Sequence, residues 1–173
     1  MTYPLSGGCA CGHVRYELLD APMFVQCCHC LDCQRQTGGV FVINAIIEAD
    51  RMGTTGPDPV PVPVPTPSGE PHIIFRCPIC QVAVWSDYGN KGWRRFVRVG
   101  TLDDPTALRP QAHVFVRSRQ PWITLSPEIP AFEIYYEDDL WPVASMERLR
   151  RGFARASAPQ APKEGVGAIS APQ

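Results

Sequence analysis

The chain has 173 residues and a mass of 19.1 kDa, the size of one compact domain with little room for a second. Sixteen Lys plus Arg against seventeen Asp plus Glu leave a net charge of −1, so no global positive field exists to hold a polyanion, and nucleic acid is disfavoured as a partner. No run approaches the ~18 apolar residues of a membrane span, and Met1-Thr2-Tyr3-Pro4 lacks the basic-then-apolar layout of a secretory signal, which predicts a soluble, cytoplasmic protein without a membrane partner.

In chain order, short alternating runs punctuated by Gly, Pro and Asp from Leu5 to Trp141 predict a mainly β fold. Val14, Tyr16 and Leu18 alternate with Arg15 and Glu17; further strands are expected at 23–26, 40–47, 73–75, 82–85 and 96–99, and at 114–116 where Val114 and Val116 flank Phe115. One short helix is expected over 31–37, with Asp32 at its positive end and Gly38 as a left-handed stop, and a second over about 144–153. Residues 57–71 hold seven of the nineteen prolines, which cannot donate ladder hydrogen bonds, so this segment reads as an extended, polyproline-like surface loop between strands. The expected organisation is one domain over 1–155 and a disordered Ala/Pro/Gly/Ser-rich tail over 156–173.

The eight cysteines make up about 5% of the chain, below the level of a disulfide-built secreted scaffold, and are expected to be reduced. They fall in three clusters: Cys9 with Cys11; Cys27, Cys28, Cys30 and Cys33; and Cys77 with Cys80. Thiols one or two residues apart can face one ion from a tight turn, and a tetrahedral zinc site needs two such turns brought together, so metal binding outweighs disulfide pairing or a redox switch. Spacing alone leaves open four plus four ligands or four plus three. A four-thiolate site is closed and structural, whereas a three-thiolate site keeps a position for water or an incoming ligand. If the chain up to Cys28 is extended, Cys27 and Cys28 project to opposite faces and do not readily share an ion, and His29 points away from Cys28 and Cys30. His113 has the same ambiguity.

Three ordered motifs resemble the glutathione-dependent formaldehyde-activating enzymes and their relatives in the centromere protein V group. Gly8-Cys9-Ala10-Cys11-Gly12-His13-Val14-Arg15-Tyr16-Glu17 looks like the family's opening strand, Cys28-His29-Cys30-Leu31-Asp32-Cys33-Gln34-Arg35-Gln36-Thr37-Gly38-Gly39 like its metal-binding signature, and Phe75-Arg76-Cys77-Pro78-Ile79-Cys80 like its later knuckle. The resemblance implies a β-tent, zinc-stabilised fold with two zinc ions. One would be structural, on Cys9, Cys11, Cys77 and Cys80. The other would be catalytic, on Cys28, Cys30 and Cys33, with an open position for the thiol of glutathione and Cys27 left spare. The implied activity is that of a carbon–sulfur lyase making S-hydroxymethylglutathione from formaldehyde and glutathione.

Backbone amides around Thr37, Gly38 and Gly39 are expected to line the pocket or merely to stop the helix. Gln81, where the family's knuckle often has glycine, must tolerate a left-handed backbone or shift the turn. A competing reading is a non-catalytic zinc module for protein or nucleic-acid interaction, in which Trp93-Arg94-Arg95-Phe96-Val97-Arg98 with Arg117 and Arg119 form a basic, aromatic surface. The same arginines suit the carboxylates of glutathione.

Overall fold

The computed structural model describes residues 1–66, 68–89, 91–136 and 140–157. Among them the architecture is mainly β, with two open sheets and two α-helices. A three-stranded antiparallel sheet has the order β1 (Leu5–Gly8), β2 (Arg15–Leu18), β5 (Met52–Thr54). A seven-stranded sheet runs β10 (Ala112–Val114), β3 (Phe24–Cys28), β4 (Val42–Glu48), β9 (Arg94–Arg98), β8 (Ala83–Tyr88), β7 (His72–Arg76), β6 (Val60–Val64). Its pairs are antiparallel except β10 with β3, which run parallel with His113 opposite Cys27.

Period-two alternation sorts the large sheet's side chains into two cores. Val25, Ala45, Ile47 and Val97 point toward the small sheet and pack with Val14, Tyr16 and Leu18. Phe24, Ile46 and Phe96 point the other way and are covered by Tyr136, Trp141 and Leu149. Because β4 is sandwiched, its run VINAIIE is buried on both sides apart from the half-buried Ile43, and only Asn44 and Glu48 interrupt its apolar residues.

Helix α1 (Leu31–Thr37) has the expected bounds. The Cys30 side chain caps it by accepting from the backbone N–H of Cys33, and Gly38 ends it at φ 68° while donating its N–H to the Gln34 carbonyl. Helix α2 (Val143–Ser157) extends beyond the expected 144–153 and takes in Ala156 and Ser157; the remainder of the expected tail, 158–173, lies outside the described residues. Its buried positions Ser145, Leu149 and Gly152 follow helical spacing and form the stripe facing the sheet. Arg148 anchors the helix through Nε to Glu48 Oε1, 2.8 Å, and through Nη1 to the Ala21 carbonyl.

At Gly152 the helix lies directly on Trp93, and a Cβ there would sit 2.1 Å from Trp93 Cζ3. Alanine improves helix propensity by about 0.5–1 kcal/mol, but overpacking costs about 1–3 kcal/mol. Trp93 has little freedom to withdraw, because its ring meets Phe153 edge-on at 5.3 Å with the Arg94 guanidinium 5.4 Å above it. Gly152→Ala is therefore expected to lower stability by about 1–2 kcal/mol in a urea titration.

Three local expectations are corrected. The expected loop over 57–71 contains strand β6, paired with β7 from Val60↔Arg76 to Val64↔His72. An edge strand pairs on one side only, so Pro61 and Pro63, at every second position, can turn their missing donors to solvent while the intervening valines face the ladder. The extended run expected over 114–116 ends at Val114: Phe115 is left-handed at φ 57°, and Val116–Ser118 form a 3-10 turn as the N–H groups of Phe115 and Val116 bond to the carbonyls of Ile134 and Phe132. The motif read as one opening strand, 8–17, is the end of β1, a turn carrying Cys9 and Cys11, and the start of β2.

Candidate functional site

Two of the thiol clusters foreseen in the sequence assemble in space. Cys9, Cys11, Cys77 and Cys80 converge, each Sγ within 4.8 Å of the others, with Cys9···Cys11 at 3.5 Å and Cys11···Cys77 at 3.7 Å. Each pair is carried by a tight turn. In the first, the N–H of Gly12 donates to the Cys9 carbonyl and the N–H of Val14 to Cys9 Sγ. In the second, the N–H of Gln81 donates to the Cys77 carbonyl and the N–H of Ile79 to Cys77 Sγ. The backbone N–H of Val82 is the main cause drawing the Cys80 thiol down to about 6, favouring the thiolate a metal requires. These separations are those of sulfurs around one tetrahedral ion, for which about 2.3 Å metal–sulfur bonds give edges of about 3.8 Å. The set therefore fits a closed four-thiolate metal site between the beginning and the middle of the chain.

Gln81 takes the left-handed conformation, φ 60°, and the turn does not shift. That region costs a non-glycine residue about 1–2 kcal/mol. Gln81→Gly, which loses only an exposed bond from Nε2 to the Pro78 carbonyl, is expected to raise the thermal midpoint by an amount equivalent to about 1 kcal/mol without changing metal content.

Cys28, Cys30 and Cys33 form the second cluster, on the face of the large sheet that carries Phe24 and Ile46. Cys28 ends β3, Cys30 caps α1 and Cys33 lies one turn along, so the strand-to-helix junction itself makes the trio. Gln34 fixes this junction: its Nε2 donates to the carbonyls of His29, 2.7 Å, and Ser118, 2.9 Å. Three thiols this close cannot all ionise by themselves. Hydrogen bonding from Cys28 and Cys33 holds Cys30 well below the usual thiol range, and the Cys28–Cys30 contact pushes Cys28 well above it. A cation is what allows all three to be thiolates, so the donor set fits a soft or borderline divalent metal.

Cys28 and Cys33 are both buried, and Cys28 and Cys30 line a cavity of about 770 Å³. One wall is aromatic and aliphatic, from Tyr88, Phe96, Phe115, Tyr135, Trp141 and Leu149. Arg35, Arg94 and Arg117 supply positive charge against Asp32 and Glu70. The His72 ring stacks on Tyr88 at 3.8 Å, and burial keeps it neutral, down to about 4. Two walls were not legible in the sequence. Val64, Pro65, Thr66, Ser68 and Glu70 bring the proline-rich segment to the cavity, and Leu149 and Phe153 bring α2. The apolar stripe of α2 was the available signal, but it does not tell which sheet face the helix covers.

The remaining sequence candidates fall as follows. Thr37 and Gly39 line a different cavity of about 550 Å³, shared with Cys80, Gln81, Arg98 and Thr101, while Gly38 is the helix stop. The basic run is engaged within the molecule: Arg94 lies over Trp93, Phe96 and Phe153, Arg95 pairs with Asp87 at 3.2 Å, and the buried Arg98 donates to Asn44. Cys27 stays apart from the thiol trio. On the opposite face of β3 it meets His29 and His113, a grouping the sequence did not reveal because it depends on the parallel pairing of β10.

A family profile described as glutathione-dependent formaldehyde-activating enzyme matches residues 4–118. The chain belongs to this family. The matched span contains all eight cysteines and ends before α2, so the family signature covers both thiol clusters and leaves one wall of the larger cavity outside it. Among solved structures the chain is similar to a Rhodobacter sphaeroides protein, with 19% identity over 61% of this chain and 92% of that chain and a TM-score of 0.45. No curated protein matches it. Among the described residues, no helix is long and apolar enough to cross a membrane.

Proposed function

We propose that this protein is a zinc-dependent carbon–sulfur lyase acting on a small thiol adduct, with the formation of S-hydroxymethylglutathione from formaldehyde and glutathione as its reaction. The observation that carries this reading is the position of Cys28 and Cys30 in the lining of the larger cavity, with the Cys33 sulfur within 4.8 Å of theirs. Such a trio holds a metal from one side and leaves the cavity side for a ligand.

Cys28, Cys30 and Cys33 would hold a zinc ion, which supplies stabilisation of an incoming thiol as its thiolate at neutral pH. With three anionic ligands already present, that thiolate stays electron-rich and nucleophilic. The chain's own residues do the rest. The Cys33 N–H and the Gln34 side chain hold the strand-to-helix junction in place. Arg35 and Arg117 offer guanidinium groups to the carboxylates of a glutathione-like molecule. Tyr88 lines the same cavity, and burial holds its phenol protonated, so its O–H is a donor for the carbonyl oxygen as the carbon–sulfur bond forms. The aromatic wall limits competing water. Thr37 and Gly39, in the smaller cavity, would act on the substrate only through the carboxyl end of α1.

The test is adduct formation between isotopically labelled formaldehyde and glutathione, followed by NMR with substoichiometric protein. The expected result is a rate above the spontaneous reaction, together with a change in the zinc-edge spectrum when glutathione alone is added. No acceleration would overturn the reaction, and no spectral change would overturn the thiol's access to the metal.

A further inference from the structure

We propose that Cys27, His29 and His113 form a third metal-binding site, a Cys/His/His centre for a borderline transition-metal ion such as zinc, on the face of β3 opposite the thiol trio. Strand geometry creates it. Residues two apart on an extended chain share a face, so Cys27 and His29 point together while Cys28 points to the other side. The parallel pairing of β10 with β3 then sets His113 beside Cys27, and all three side chains are buried.

The donor atoms already converge. Cys27 Sγ lies 3.6 Å from His29 Nε2, His29 Nε2 lies 3.0 Å from His113 Nδ1, and all three atoms lie within 4.8 Å of one another. Around a tetrahedral zinc with metal–sulfur near about 2.3 Å and metal–nitrogen near about 2.05 Å, the corresponding edges are about 3.6 Å and about 3.4 Å. The sulfur–nitrogen edge agrees, and the nitrogen pair needs only a slight opening.

A purely structural role is a poorer account of the same atoms. The Nε2 of His29 faces Cys27 Sγ and His113 Nδ1 at once, and a single ring N–H satisfies only one of them. One thiolate and two neutral imidazoles are a donor set suited to zinc or copper, and a bound divalent ion would balance the charge left when Cys27 loses its proton. The ion would tie β10, the edge strand next to the metal-binding junction, to β3.

Imidazole distinguishes this site from the two thiol clusters, neither of which contains histidine. The full chain, saturated with zinc and desalted, is expected to hold about three zinc ions per chain, and its zinc-edge spectrum should show imidazole scattering beside sulfur. His113→Gln should hold about two, with the imidazole signal lost and the circular dichroism unchanged. Should His113→Gln fail to fold, Cys27→Ala serves with the same expectation. About two zinc ions in the unsubstituted chain with an all-sulfur spectrum, or about three in both proteins, would overturn the site. This outcome is independent of whether the protein acts on formaldehyde, because no activity is read.

Discussion

Cys30→Ser is expected to abolish turnover of the thiol adduct while leaving a folded protein. Cys30 has two separable duties. Its sulfur caps α1 by accepting from the Cys33 N–H, and with Cys28 and Cys33 it completes the trio at the cavity edge. Serine is among the preferred helix caps, so the first duty survives and global stability should change by less than about 1 kcal/mol. The second does not survive, since a neutral hydroxyl is a poor metal donor beside two thiolates. Zinc content should fall by one ion per chain. The rate over the spontaneous reaction should fall more than about 100-fold, because losing merely a ligand's hydrogen-bond partner already costs metal sites about 10–100-fold. Elemental analysis, a thermal melt and the adduct assay on one preparation check all three. Full activity with the metal gone would show that the trio does not catalyse.

What could be read in advance from the sequence was what local chemistry determines. The bounds of α1 followed from Asp32 and Gly38, because capping involves residues within one turn. The separation of Cys27 from Cys28 followed from strand alternation, since adjacent side chains of an extended chain must diverge. Features set by distant partners were not legible. Prolines forbid an interior strand but not an edge one, and only the assembled sheet shows that 60–64 lie at an edge. Phe115 turns left-handed because of bonds to the 132–134 segment, which no alternation over 114–116 could signal. For the same reason the thiol trio could be named from the resemblance of its local motif while the cavity beside it could not. Its walls come from β6, β9 and α2, elements far apart in the chain and joined only by tertiary packing.

Cys77→Ser is expected to have the opposite signature, loss of the fold together with all bound metal. Cys77 is fully buried, lies 3.7 Å from Cys11, and receives the Ile79 N–H on its sulfur at the head of the second knuckle. Its partners at Cys9 and Cys11 sit between β1 and β2, so a metal there closes a loop of more than sixty residues between the small sheet and β7–β8 of the large one. Structural zinc contributes about 10–16 kcal/mol of apparent binding free energy, comparable with the whole stability of about 5–15 kcal/mol of a typical domain. A damaged site therefore cannot be compensated by the remaining packing, particularly with a hydroxyl now buried beside three thiolates. The expected observations are loss of the cooperative thermal transition and dispersed NMR spectrum, and a comparable loss when a strong chelator strips the unsubstituted protein. Cys30→Ser should keep that transition, and the contrast separates the metal that holds the sheets together from the one that faces the cavity. A cooperative melt in Cys77→Ser close to that of the unsubstituted chain would remove the structural assignment of the four-thiolate cluster.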